Sequence, residues 1–323
     1  MLTPTRELRR VLGAPVSAMF SVVVAARNTL YDRGVLKQQR LRRPVISVGN
    51  ISVGGAGKTP FVVMLAELLR QRGVRVDVLS RGYGRKTSGV LVVDAGGSPL
   101  QFGDEPLLIA RRLPGVPVVV GESRFQAGLE AERRFETDIH LLDDAFQHRQ
   151  LTRDFDVVLL SRFDLQDRLL PSGRLREPLS SLARADALVW SEPGDIPSLP
   201  ASIPVWRARR RIELPPQSPS RPFILCAIAG PQRFLSDLGS AGVHPAGHHW
   251  FRDHHAYTEA DIRGLCREAS RAGADGFLTT EKDAVKLNVL QARLPNLAVT
   301  RLSLELENAQ QVLATILDKV KTG

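Results

Sequence analysis

This chain is poor in the features that mark exported, metal-stapled or nucleic-acid-stacking proteins. It has two cysteines in 323 residues, Cys226 and Cys266. Neither has a metal-ligand spacing, and two thiols make no disulfide framework. Such usage fits the cytosolic side of a membrane. Long apolar runs are missing too. The run from Ala14 to Ala26 is shorter than the about 20 residues a spanning helix needs. It also lacks a convincing small-residue cleavage site, so a removed signal peptide is not expected. Aromatics make up 6% of the chain and are not interleaved with the basic residues. Stacking on bases requires that interleaving, so no nucleic-acid partner is expected. There is no internal repeat and no H-E-x-x-H helix.

What is present is first of all charge, unevenly placed. The net charge is +10. Residues 1–43 hold Arg6, Arg9, Arg10, Arg27, Arg33, Lys37, Arg40, Arg42 and Arg43 against Glu7 and Asp32, so +7 of the +10 lies there. Val16, Met19, Phe20, Val23, Leu30 and Tyr31 fall on one helical stripe of this segment. A basic, amphipathic helix that does not span suits an anionic membrane surface. The competing reading is a helix packed on the core, with its arginines in water.

The clearest local signal is Ser52-Val53-Gly54-Gly55-Ala56-Gly57-Lys58-Thr59. An apolar run, Val45 to Val48, precedes it, and Phe61 to Leu69 follows. Strand, glycine-rich turn and helix is the context of a phosphate-binding loop. Glycines let the backbone turn its N–H groups onto a polyphosphate, and the helix start adds partial positive charge. Lys58 is expected on the β- and γ-phosphates of a nucleotide and Thr59 on Mg²⁺. Ser52 stands where the usual pattern has its first glycine.

At this length two domains are expected. Short apolar strands at 74–79, 90–93, 116–120, 139–142, 157–160 and 187–190 alternate with helical stretches at 106–113 and 128–135. That alternation predicts an α/β core with a parallel sheet covered on both faces. The proline- and charge-rich stretch 209–222 reads as a linker between a core of 44–208 and a smaller α/β domain of 223–323. In that domain Thr258-Glu259-Ala260-Asp261 carries a capping-box signature.

Asp143 and Asp144 end an apolar strand, where a phosphate-loop protein places an aspartate on Mg²⁺ or its waters. Gly103-Asp104-Glu105-Pro106 is a second acidic pair at a helix start, with Asp104 at or near the N-cap. Five histidines cluster between 244 and 255: His244, His248, His249, His254 and His255. Spacing leaves metal binding, proton transfer and structure all open for them.

Gly49-Asn50-Ile51-Ser52 through Pro60, Ser80 to Arg85, Gly103 to Pro106, Leu142 to His148, Gly173 to Pro178, Phe251 to His255 and Thr279 to Ala284 together resemble the tetraacyldisaccharide 4′-kinase (lipid A 4′-kinase) family. The resemblance covers nearly the whole chain. It implies transfer of the γ-phosphoryl of ATP to the 4′-hydroxyl of a tetraacylated disaccharide 1-phosphate, giving lipid IVA. It also implies a phosphate-loop core, a closing C-terminal domain and an N-terminal helix on the cytoplasmic face of the bacterial inner membrane, peripheral or monotopic. Asp104 and His254 match the family's catalytic dyad. By the same resemblance Glu105, Asp143 and Asp144 are candidates for Mg²⁺. Asn50, Tyr83, Arg176 and Glu177 are expected to line the site, and His148 to support it by hydrogen bonding. The resemblance implies no role for Lys282 or Asp283. Ala145 replaces the family's usual glycine, so its turn must avoid positive φ.

Two other classes compete. A GTPase-like switch needs a guanine-reading N/T-K-x-D motif, of which Thr280-Glu281-Lys282-Asp283 is a superficial likeness. A nucleic-acid-stimulated ATPase would use the basic charge differently. Nucleotide preference separates the first from a kinase.

Overall fold

The computed structural model describes residues 4–199 and 203–322, with side-chain surroundings between 15 and 321. In chain order the elements are α1 (Pro4–Asp32), β1 (Val45–Asn50), α2 (Lys58–Gln71), β2 (Val76–Ser80), β3 (Leu91–Val92), α3 (Pro99–Phe102), α4 (Asp104–Arg112), β4 (Val118–Val120), α5 (Arg124–Arg134), β5 (Ile139–Asp143), β6 (Phe155–Leu160) and β7 (Ala187–Trp190). There follow β8 (Val205–Glu213), β9 (Pro222–Cys226), α6 (Pro231–Ser240), β10 (Gly247–Trp250), α7 (Glu259–Ala272), β11 (Gly276–Thr280), α8 (Glu281–Leu287), β12 (Leu297–Leu306) and α9 (Ala309–Thr322).

Strands β1, β2, β4, β5, β6 and β7 are buried along their whole length. That is why they read as continuous apolar runs: a parallel sheet is covered on both faces. Ile46, Val48, Val78, Leu141 and Val157 pack with Phe61, Leu65 and Leu69 of α2 on one face. Val45, Leu79, Val119 and Leu142 pack with Ala127 and Ala131 of α5 on the other. The side-chain period of two sends alternate residues to opposite covers.

One sheet runs through the whole molecule, in the order β10-β9-β11-β12-β8-β7-β6-β1-β5-β2-β4-β3. Pairs are parallel except β8 with β12 and β3 with β4. The stretch expected as a linker is therefore strand as far as Glu213. Its charge misleads because only alternate side chains are exposed: Arg211 pairs with Glu305 at 2.9 Å and Arg209 with Glu307 at 3.0 Å on the exposed face. Arg210 and Ile212, which alternate with them, are half-buried.

The C-terminal residues also return to the core. Leu304 of β12 and Val312, Leu313, Ile316 and Val320 of α9 join the main apolar cluster. Ile316 is fully buried. Ile316→Ala should cost about 2–5 kcal/mol of stability by opening a cavity, seen as a lowered denaturant midpoint. A loss under about 0.5 kcal/mol, the size of an ordinary surface change, would place α9 outside the cooperative core.

Helix α1 docks mainly through polar contacts. Ser17 donates to the Leu169 carbonyl and lies 2.8 Å from Ser172. Asn28 donates to Glu177 at 2.9 Å, and Arg149 pairs with Asp32 at 2.7 Å while lying over the Tyr31 ring. Val16, Met19, Val22, Val23 and Leu30 are exposed. The expected stripe is thus shifted: Phe20 and Tyr31 are half-buried on the docking side, and Val22 belongs to the outer face. Between residues 15 and 30 that outer face carries no charged side chain. Arg6, Arg9 and Arg10 lie where side chains are not described. Among the described residues no helix is long and apolar enough to cross a membrane.

Candidate active site

A cleft of about 950 Å³ opens where the loops after β1, β2 and β5 meet those after β9, β10 and β11. Its floor is the loop between β1 and α2, with residues 52–59 all lining it. Gly57 is the N-cap of α2 and adopts φ +87°, the left-handed region that disfavours a side chain. No side chain caps the helix, so its first N–H groups face the cleft. This is a ready site for a phosphate chain.

Lys58 Nζ donates to Asn50 Oδ1 at 3.1 Å and lies 3.4 Å from Asp144 Oδ1. Arg176 grips Asp144 with both terminal nitrogens, at 2.7 and 3.2 Å, and donates to Asn50 as well. Burial works to raise the Asp144 pKa, but Lys58 and Arg176 outweigh it and hold it down to about 2. Asp144 is the residue with positive φ here, at +50°. Ala145 avoids that region, as its methyl group requires, and a short polar side chain takes the strained position instead.

Asp143 is different. It is fully buried, and its Oδ1 has no hydrogen-bond partner. Burial, then Glu105 and Asp144, push its carboxyl up, partly offset by Lys58 and Arg124. A buried carboxylate left unpaired among other acids calls for a cation. With Thr59 and Glu105 lining the same cleft, the residues fit a Mg²⁺ ion completed by nucleotide oxygens. No protein-only cluster of three or more ligands occurs among the described residues.

The acceptor side is built on α4. Gly103, the N-cap, has φ +92°, and a Cβ there would meet the Tyr83 carbonyl at 3.0 Å. Asp104 is therefore the first helical residue, one position inside the expected cap; its side chain is buried behind the cleft wall, with Oδ1 accepting from the Glu105 N–H at 3.1 Å. His254 Nδ1 donates to Asp104 Oδ2 at 3.1 Å, from 150 residues away. Burial works to raise the Asp104 pKa, but this hydrogen bond and the charge of Lys282 hold it below its ordinary value. The same bond raises His254 against its partial burial. His254 has φ +58°, and its ring lies 5.0 Å from that of Tyr83.

Of the other histidines, His249 pairs with Glu268 at 2.8 Å and His255 with Asp261 at 3.0 Å. Zinc chemistry has no ligand set there. His148 lines the cleft beside Arg27, Arg81 and Arg124. Burial and these arginines lower it to about 4, which keeps it neutral. Glu177 does not line the cleft; it is buried, holding Asn28 of α1 and Arg184. Thr280-Glu281-Lys282-Asp283 reads no base: Thr280 caps α8, and Asp283 is fully buried beneath it.

A sequence model of the tetraacyldisaccharide-1-P 4′-kinases, LpxK, matches residues 9–321. The chain belongs to this family. It is 49% identical over 312 residues to the tetraacyldisaccharide 4′-kinase of Koribacter versatilis, covering 94% of this chain and 97% of that relative. The corresponding enzyme of Geobacter metallireducens is 38% identical over 330 residues, covering 96% and 97%. The "apo" form LpxK of Aquifex aeolicus, solved in complex with ATP, superposes with a TM-score of 0.78 at 34% identity, over 96% of this chain and 99% of that one. This 4′-kinase accordingly acts in lipid A biosynthesis on the 4′ position of a tetraacyldisaccharide 1-phosphate.

Among the cleft residues of this 4′-kinase that the sequence did not single out are Arg124 and Lys282. Arg124 is buried at the start of α5, and burial brings it down to about 10, still cationic at neutral pH. Ser123 before it accepts from the Gln126 N–H as an N-cap; that cap was the available signal for a helix start four residues earlier than expected. Lys282 is the second. Its signal was a charge inside a motif that the local pattern did not explain.

Proposed function

We propose that the enzyme transfers the γ-phosphoryl of ATP to the 4′-hydroxyl of the lipid disaccharide 1-phosphate, with Asp104 and His254 as one proton-accepting unit. The observation that carries this is the Asp104–His254 hydrogen bond, which joins α4 to the second unit in the cleft floored by the phosphate loop. The backbone N–H groups of residues 52–59 cradle the phosphates, and Lys58 neutralises the charge of the migrating group. Thr59, Asp143 and Glu105 would hold Mg²⁺ on the phosphate oxygens. When bound, that ion offsets negative charge on the β- and γ-oxygens.

The 4′-oxygen bonds to the γ-phosphorus as the bond from phosphorus to the ADP oxygen breaks. The hydroxyl proton passes to Asp104. A carboxylate of lowered pKa is a weak base, and it suffices because a loose transition state makes little of the new bond before the proton must leave. His254 donates to Oδ2 and so fixes which oxygen faces the acceptor. Lipid IVA and ADP are the products. Incubation with ATP, Mg²⁺ and the disaccharide 1-phosphate in detergent, followed by mass analysis, should show one added phosphate. GTP supporting turnover as well as ATP, or no product, counts against this reading.

The exposed apolar face of α1 rests in the headgroup region of an anionic membrane, toward which the net positive charge of residues 1–43 draws it. That places the sugar of a four-chain lipid at the cleft mouth while its tails stay in the bilayer. The proposed position is peripheral, on the cytoplasmic face of the bacterial inner membrane. Replacing Met19 and Val23 by glutamate should weaken binding to anionic phospholipid vesicles by about tenfold or more, since each buried apolar side chain contributes about 1.5–3 kcal/mol. High salt should weaken the unaltered protein's binding. Unchanged partitioning of the double variant would return α1 to a structural role.

A further inference from the structure

Helix α8 has no part in the reaction as described, yet its second residue reaches the reacting groups. Lys282 Nζ lies 3.0 Å from Glu105 Oε1, 3.8 Å from Asp104 Oδ2 and 3.9 Å from Asp253 Oδ1. Two of these carboxylates belong to α4, and the third is the neighbour of His254. One ammonium is thus shared by three acids from the two sides of the cleft. Burial works against its charge, but the three acids outweigh that and hold its pKa above the ordinary lysine value.

The preceding residue meets the other end of α4 with the opposite sign. Glu281 lies 3.3 Å from Arg112, which also donates to the Leu302 carbonyl at 2.8 Å. So α4 offers acids at its start and a base in its last turn, and α8 answers with an acid and a base in consecutive positions. Opening the seam would unpair both ends at once.

Lys282 is also held stiffly from behind. Thr280 Oγ1 accepts from the Asp283 N–H at 3.1 Å and donates to Asp283 Oδ2 at 2.6 Å. Asp283 Oδ1 accepts from the Ala227 N–H and the Tyr257 hydroxyl, both at 2.9 Å, with Lys286 at 2.8 Å. The Tyr257 ring stands edge-on to Phe251 and His255, which flank His254. One buried carboxylate therefore fixes α8 and the His254 loop to each other.

We propose that Lys282 is a positioning residue for the phosphoryl transfer, its ammonium clamping Asp104 and Asp253 so that His254 meets Asp104 when the second unit closes on the core. The proposal rests on the Asp104–His254 reading above. Without the ammonium, three carboxylates within its reach would repel one another, and the seam would open with the dyad apart.

In the full-length protein, Lys282→Gln should lower kcat about 10²-fold, the scale of a misplaced catalytic group. The dissociation constant of a non-hydrolysable ATP analogue should stay within about threefold, because the residue acts after nucleotide docking. Lys282→Arg, which keeps the charge, should recover at least about tenfold of that loss. A pair of dyes on the outer faces of α5 and α7 should report a broader distance distribution in Lys282→Gln than in Lys282→Arg. Turnover of Lys282→Gln near the unaltered level beside an inactive Asp104→Asn would overturn the clamp and leave the dyad standing. A fall in nucleotide affinity matching the fall in kcat would overturn it too, making Lys282 a nucleotide or stability residue. Full activity of Asp104→Asn would remove the dyad, and the clamp with it.

Discussion

Lys58→Ala should abolish phosphoryl transfer in a protein that still folds. The loss should be at least about 10²–10³-fold in kcat, roughly 3–4 kcal/mol, the scale of removing one preorganised donor from developing charge. Lys58 begins α2 with its ammonium against Asn50 Oδ1 and Asp144 Oδ1. The fold does not need it there. Arg176 keeps its two-nitrogen grip on Asp144 after the change, so Asp144 is not left bare. Equal melting temperatures with lost turnover are therefore the expected pair of results. Lys58→Arg should rescue poorly, because a planar guanidinium cannot occupy the space of a compact ammonium inside a tight loop. Near-normal turnover of a folded Lys58→Ala protein would refute the phosphate-loop assignment.

The second large effect concerns Asp104 and His254. Each single alanine variant should lose about 10²–10⁴-fold in kcat, the range for a positioned base, while ATP still binds. The double variant should be little worse than the more damaged single variant, because residues that act as a unit are not additive. The loss should fall on kcat, since the pair's task arises when the hydroxyl is deprotonated and not when substrate docks. Multiplicative losses would break the unit and leave Asp104 as a helix-start carboxylate serving the metal. A fully active His254→Ala protein would shift the role to Asp253, which lies 3.9 Å from His254. His255 is not free to replace it, being paired with Asp261.

The core was readable because its signals are local. A parallel strand buried on both faces is an apolar run, and β1, β5, β6 and β7 were each found within a residue or two. The phosphate loop follows from glycine chemistry over eight residues, and the capping box at Thr258 from four. Where local signals conflict, the reading failed. Residues 209–213 look like a charged linker because three arginines run together there, yet their exposure alternates with the period of a strand that has one wet face. The α1 stripe was rotated because Phe20 and Tyr31 are apolar enough to join either face, and the partners on the docking side, Leu169 for Ser17 and Arg149 for Tyr31, lie over 100 residues away. Glu177, expected at the site, is instead claimed by Asn28 of α1.

By itself the sequence determined the chemistry of each piece: a loop for phosphates, acids at strand ends, a basic N-terminal helix whose apolar run is too short to span, and a set of motifs belonging to one kinase family. Tertiary structure alone decided how those pieces meet. The strands of the second unit run opposite to those of the core, because β12 pairs antiparallel with β8. In a flat sheet their C-terminal ends would face away from the phosphate loop. The loops after β9, β10 and β11 nevertheless line the same cleft as those after β1, β2 and β5. That meeting is a property of the whole sheet and of no single segment. It brings His254 and Lys282 onto Asp104 across 150 or more residues of chain, a separation over which no periodicity or spacing rule carries information.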